Sequence, residues 1–110
     1  MEIDKVIGKI LDGFQPACVV IAANEVKLFD QLKQPTTAEQ AAKALNLDSE
    51  ATERLLNSLT SLEIITKENQ TYYLPETAHE YLTTGGSHSL QQWIQLSADL
   101  YSVWGSSLRL

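Results

Sequence analysis

Positive charge is scarce in this chain. Eight Lys and Arg face fourteen Asp and Glu across 110 residues, giving a net charge of −6 and a pI of about 4.7. That balance argues against nucleic acid and against an anionic membrane as partners. Cysteine is reduced to Cys18, so no internal disulfide exists, and a reducing, cytoplasmic setting is the simpler expectation. The two histidines, His79 and His88, have no ligand-like spacing to each other or to Cys18, so no metal site is expected. None of the five glycines forms a GxGxxG-like turn after a strand, so no nucleotide or S-adenosyl cradle is expected. The longest apolar run, Ala17 to Ala23, is far short of the ~20 residues of a membrane span. Met1-Glu2-Ile3-Asp4 lacks the basic start of a signal peptide. No nucleophile is grouped with a base and an orienting acid, so no catalytic residue is expected in this segment.

What is present centres on residues 36–74. Thr37 with Gln40 three residues later has the form of a capping box, and Ala41, Ala42 and Leu45 follow at helical spacing. Asn46 suits the left-handed residue that ends a helix, and Asp48 or Ser49 can cap the next one. Leu55, Leu56, Leu59 and Leu62 give that next helix one apolar stripe. Ile64-Ile65 and Thr71 to Leu74 read as strands on either side of Lys67-Glu68-Asn69-Gln70. The expected fold is mainly α: a winged helix-turn-helix with a small two-stranded β-hairpin, flanked by N-terminal and C-terminal helices.

A winged helix either reads DNA or serves as a scaffold for protein contacts. Between Gln34 and Thr84 three bases face eight acids, a net −5, and the would-be reading helix offers Arg54 alone. DNA binding rests on several Lys or Arg neutralising phosphates. A DNA-binding regulator is therefore the alternative reading, opposed by charge.

Ile3, Val6, Ile7, Ile10, Leu11 and Phe14 predict an amphipathic helix ended by Gly13 to Pro16. A second helix is expected from about Pro16 to Leu32, with Pro16 at its first position. Ala17 to Ala23 would make it apolar on every side, hence buried on every side, with Cys18 a small core residue. Either its own domain wraps it or a second subunit does. The expected interface residues are Ile3, Ile7, Ile10, Phe14, Val19, Val20, Ile21 and Ala23.

Beyond the hairpin, Glu76 to Leu82 reads as a short helix carrying a solvated His79. Thr83 to Ser87 reads as a linker. A last helix is expected from about His88 towards Leu108, its inward stripe holding Leu90, Trp93, Ile94, Ser97, Leu100, Tyr101, Trp104 and Leu108. The stripe breaks off at Leu110 without a helix stop, which fits a fragment of a longer protein. The expected organisation is 1–33 as a helical dimerisation segment, 34–84 as the winged unit and 88–110 as a helix leading to a catalytic domain beyond.

Ala22-Ala23-Asn24-Glu25-Val26-Lys27-Leu28-Phe29-Asp30-Gln31-Leu32 resembles the "A-x-E-L-G-L-F-D-x-L" stretch of small-molecule O-methyltransferases. Thr37 to Ala42 resembles their "T-x-E-E-L-A", Arg54 to Leu59 their "R-L-L-R-x-L", and Tyr72-Tyr73-Leu74 their "Y-x-L-T". The order matches the N-terminal dimerisation domain of the caffeate, acetylserotonin and polyketide enzymes. That resemblance implies a homodimer and a separate C-terminal Rossmann-like domain that holds S-adenosylmethionine. It implies a small hydroxylated substrate, with Trp93, Tyr101 and Trp104 as candidates for lining its pocket. The sequence departs from the pattern at Lys27 and Glu63, where the family often has glycine.

Overall fold

The computed structural model describes residues 2–107, with the side chains of Phe14, Gln15 and residues 101–107 outside the description. It is mainly helical with one small antiparallel sheet, in the element order of a winged helix. Among the described residues there are five α-helices, α1 (Ile3–Glu25), α2 (Ala38–Leu45), α3 (Ser49–Ser61), α4 (Glu76–Leu82) and α5 (Gln91–Ser107). A 3₁₀ helix, Leu28–Leu32, joins α1 to α2. Strands β1 (Thr66–Glu68) and β2 (Thr71–Tyr73) pair in register, Thr66 with Tyr73 and Glu68 with Thr71. Thr36 adds a single bridge to Tyr72, with backbone bonds of 3.0 and 2.7 Å.

Local chemistry accounts for the winged unit. The Thr37 side chain accepts from the Gln40 N–H at 3.1 Å, and Gln40 Oε1 accepts from the Thr37 N–H at 3.2 Å. Two donors at the start of α2 are thereby satisfied reciprocally. Asn46 ends α2 at φ 56°, and the Leu47 N–H reaches back to the Ala42 carbonyl at 2.8 Å. That is the crossed bonding of a Schellman end. Asp48 caps α3 by accepting from the Ala51 N–H at 2.8 Å.

The core lies where the end of α1, the 3₁₀ helix, α2, α3 and the hairpin meet. Ala23, Leu28, Phe29, Leu32, Ala41, Leu56, Leu59, Ile65, Tyr72 and Leu74 form one buried cluster. The 3₁₀ helix puts all three of its large apolar side chains into it.

The N-terminal half corrects the sequence-based expectation. No break falls at Gly13 to Pro16; α1 runs unbroken through Pro16 to Glu25. Proline removes one N–H and strains the turn before it, at about 3 kcal/mol in a helix interior. The helix continues because the stripe stays in phase: Ile3, Ile7 and Ile10 are followed by Ala17 and Ile21 on the same face. The expected helix to Leu32 stops instead at Glu25, because Lys27 takes left-handed backbone at φ 63°. Cys18 is exposed rather than a core residue. The radius of gyration is 15.5 Å, against about 13 Å for a compact domain of 100 residues.

Two further corrections lie near the C-terminus. α5 starts at Gln91, so His88 sits in the turn before it. Thr83 to Ser87 is a bonded turn rather than a free linker: the Gly86 N–H donates to the Thr83 carbonyl, and the His88 N–H to the Glu80 carbonyl. Gly85 stands at φ 81°. A Cβ on Gly86 would collide with the Glu80 backbone, so glycine is favoured at Gly85 by conformation and required at Gly86 by space.

Candidate functional site

Three apolar features remain uncovered. The first is the leading half of α1, where Ile3, Ile7, Ile10 and Leu11 are 59, 47, 65 and 61% exposed. The second is α5, where Trp93, Leu96 and Leu100 are exposed, while Ile94 is buried. The inward stripe expected of α5 is thus only in part inward. The third is a groove of about 420 Å³ between them. Pro16, Ala17, Val20 and Ile21 of α1 form one wall, Trp93, Ile94 and Ser97 of α5 the other, with Leu62 and Ile64 from the turn that follows α3.

Magnitudes make these faces informative. Fully burying one such side chain is worth about 1.5–3 kcal/mol, so the α1 stripe, about half exposed, forgoes roughly 3–7 kcal/mol by staying in water. That is a large part of the whole stability of a domain, about 5–15 kcal/mol. Contiguous apolar surface of this kind marks an interaction site.

The expected interface residues fall into four groups. Ile3, Ile7 and Ile10 are exposed, and Val19, Val20 and Ile21 are half-buried. Ala23 is fully buried in the core of its own chain, which leaves it no surface to offer a partner. The Phe14, Tyr101 and Trp104 side chains lie outside the described residues. Of the expected pocket-lining residues, Trp93 does line the groove. Val6, Leu11, Leu96 and Leu100 were not singled out for an interface; their alternation with Ile7, Ile10 and Trp93 on helical faces was the available signal.

The polar groups offer little chemistry. His88 Nδ1 lies 2.9 Å from Glu80 Oε2, and the Ser87 hydroxyl lies 3.0 Å from that oxygen and 3.2 Å from the same Nδ1. A nucleophile relay needs serine and acid on opposite ring nitrogens, and here both meet one. These hydrogen bonds, His88 first and then Ser87, hold the Glu80 carboxyl below its ordinary pKa. The half-buried His79 is not simply solvated; its Nε2 lies 2.8 Å from the Leu74 carbonyl. The Tyr73 hydroxyl donates to Glu68 Oε1 at 3.1 Å, and that hydrogen bond raises the Tyr73 phenol above its ordinary pKa. Among the described residues no three His, Cys, Asp or Glu side chains gather as a metal site would need. On the winged unit, Arg54 faces Glu50 at 4.0 Å, and Lys67 is engaged with Asn57 and the Tyr72 ring.

A winged unit with uncovered apolar helices at both ends, and little chemistry of its own, describes a pairing module. The model of the O-methyltransferase dimerisation domain family matches residues 9–84. The chain belongs to that family. The dimerisation domain is 32% identical over 96 residues to the S-adenosyl-L-methionine-dependent methyl transferase PigF of a Serratia strain, covering 84% of this chain and 27% of PigF. It is 32% identical over 94 residues to a human probable bifunctional dTTP/UTP pyrophosphatase/methyltransferase protein, covering 84% of this chain and 15% of that one. Among solved structures, PigF with SAH superposes at a TM-score of 0.83 with 26% identity, over 96% of this chain and 32% of PigF. Human N-acetylserotonin methyltransferase in complex with SAM superposes at 0.79 with 25% identity, over 96% and 33%. The chain thus spans about a quarter or less of the curated relatives it matches.

Within the dimerisation domain, α1 is long and apolar enough to cross a membrane by length and composition alone, with a mean hydropathy of 1.5. The family match begins at residue 9 and so takes in most of that helix.

Proposed function

We propose that this domain pairs two subunits of an S-adenosylmethionine-dependent O-methyltransferase and closes one side of its substrate pocket. The substrate would be a small hydroxylated molecule, and the cofactor would belong to a separate methyltransferase domain in the same cytoplasmic polypeptide. The observation that carries the reading is the family match over residues 9–84, on a chain whose α1 stripe has no partner of its own. The lengths of the relatives support the division of labour, since the matched segment is about a third or less of each.

The one-sided stripe favours pairing over membrane insertion. Asp4, Lys5, Lys9 and Asp12 occupy the same turns as Ile3, Ile7 and Ile10, and a charge at the bilayer centre costs several kcal/mol. An isologous contact offers each copy the same apolar surface in return. No observation favours DNA binding. Calorimetric titration of this chain with S-adenosylmethionine tests the division of labour: no saturable binding is expected, and micromolar 1:1 binding would contradict it.

A further inference from the structure

Four polar residues, distant in sequence, meet where α5 joins the rest of the fold. Thr84 donates its backbone N–H and its hydroxyl to the two carboxylate oxygens of Asp30, each at 2.7 Å. Gln91, the first residue of α5, donates from Nε2 to the Thr84 hydroxyl and to the Leu82 carbonyl, both at 3.3 Å. Asn24, near the end of α1, donates from Nδ2 to the Gln91 carbonyl at 3.3 Å. Asn24 is buried, and its Oδ1 has no partner among the described residues. Asp30 belongs to the 3₁₀ helix, so the cluster joins three elements through one turn.

The apolar contacts of α5 are thin by comparison. Ile94 is its one buried large side chain among the described residues, while Trp93, Leu96 and Leu100 stay exposed. Burial alone therefore fixes the helix weakly. A carboxylate that accepts two hydrogen bonds supplies direction, and charge-assisted bonds are the stronger kind.

We infer that Asp30 and Thr84, backed by Gln91 and Asn24, form a clasp that holds α5 against α1 and so keeps the groove between them formed. α5 is then a separately opening unit: with the clasp gone it parts from α1 more often while the winged core stays folded. Asp30 and Thr84 are positioning residues for the groove wall that carries Trp93 and Ile94. This inference stands whether or not the parent protein transfers methyl groups.

Residue-resolved hydrogen exchange on the 110-residue chain and its variants tests it. In Asp30→Ala the Thr84 amide and the α5 amides should exchange about three- to tenfold faster, the range expected for a lost hydrogen bond. Amides of α2 and α3 should keep their rates. Thr84→Val removes the hydroxyl alone and should give a smaller change in the same residues, and it serves if Asp30→Ala folds poorly. Thr84→Ser keeps both donors and should restore the original pattern. Unchanged α5 rates in both Asp30→Ala and Thr84→Val would overturn the clasp, as would an equal rise across α2, α3 and α5.

Discussion

Lys27 and Glu63 occupy equivalent places: each follows a helix by one residue past its cap, and each has left-handed backbone at φ 63°. Behind Glu63 the bonding is the crossed pair of a Schellman end, with Glu63 N–H on the Thr60 carbonyl at 2.9 Å and Ile64 N–H on Leu59 at 3.1 Å. Side chains with a Cβ pay about 1 kcal/mol or more in that conformation. Glycine does not, although it loses more entropy on folding. Lys27→Gly and Glu63→Gly should each raise unfolding stability by roughly 0.5–1 kcal/mol. Urea melts of the single variants measure this. A loss of stability in both would show that the long side chains hold these turns in some other way.

Gly86 should behave in the opposite sense. A Cβ there would lie 2.7 Å from the Glu80 carbonyl carbon, and that neighbour is backbone rather than a yielding side chain. Gly86→Ala should cost about 1–3 kcal/mol, as overpacking does. It should also loosen the bond between the His88 N–H and the Glu80 carbonyl. Chemical denaturation gives the cost; a neutral result would mean that the turn has slack.

The local parts of this fold were legible in the sequence, and the distant ones were not. The Thr37–Gln40 box, the Asn46 stop and the Asp48 cap each lie within a few residues of their partners, so spacing alone specifies them. Pro16 misled because a proline ordinarily ends a helix, while the in-phase stripe across it argued for continuity. Of the two ways to cover Ala17 to Ala23, wrapping by its own domain is met only in part. Only the end of α1 reaches the core, and Cys18 faces outward. Asp30 and Thr84 are 54 residues apart, and nothing in either neighbourhood announces the other. Trp93 lines the groove between α1 and α5 and is 66% exposed, and that position follows from how α5 is held, which its own neighbourhood does not announce.

The Glu80–His88 pair gives a pH dependence with a definite sign. Hydrogen bonds from His88 and Ser87 lower the Glu80 pKa in the folded state. A depressed carboxyl contributes stability above its unfolded value, about 4.3, and loses it as pH falls through the folded value. Glu80→Gln should therefore be less stable than the unsubstituted chain at pH 7, and the difference should fade as pH falls below the unfolded value and through the lowered folded one. Carboxylates common to both proteins cancel in the comparison. Thermal melts across that range measure it, and a difference independent of pH would remove the pair from the account.

The central claim is that a second copy covers the first half of α1. Ile7 and Ile10 are exposed in the single chain, so Ile7→Asp or Ile10→Asp leaves the winged core untouched. In a paired molecule the same change places an uncompensated charge in the contact, at a cost of several kcal/mol. Sedimentation equilibrium at micromolar concentration measures this directly. The unsubstituted chain should be a dimer, and the Ile10→Asp chain a monomer whose winged core is still folded. A well-folded monomer for the unsubstituted chain, indistinguishable from Ile10→Asp, would contradict the claim.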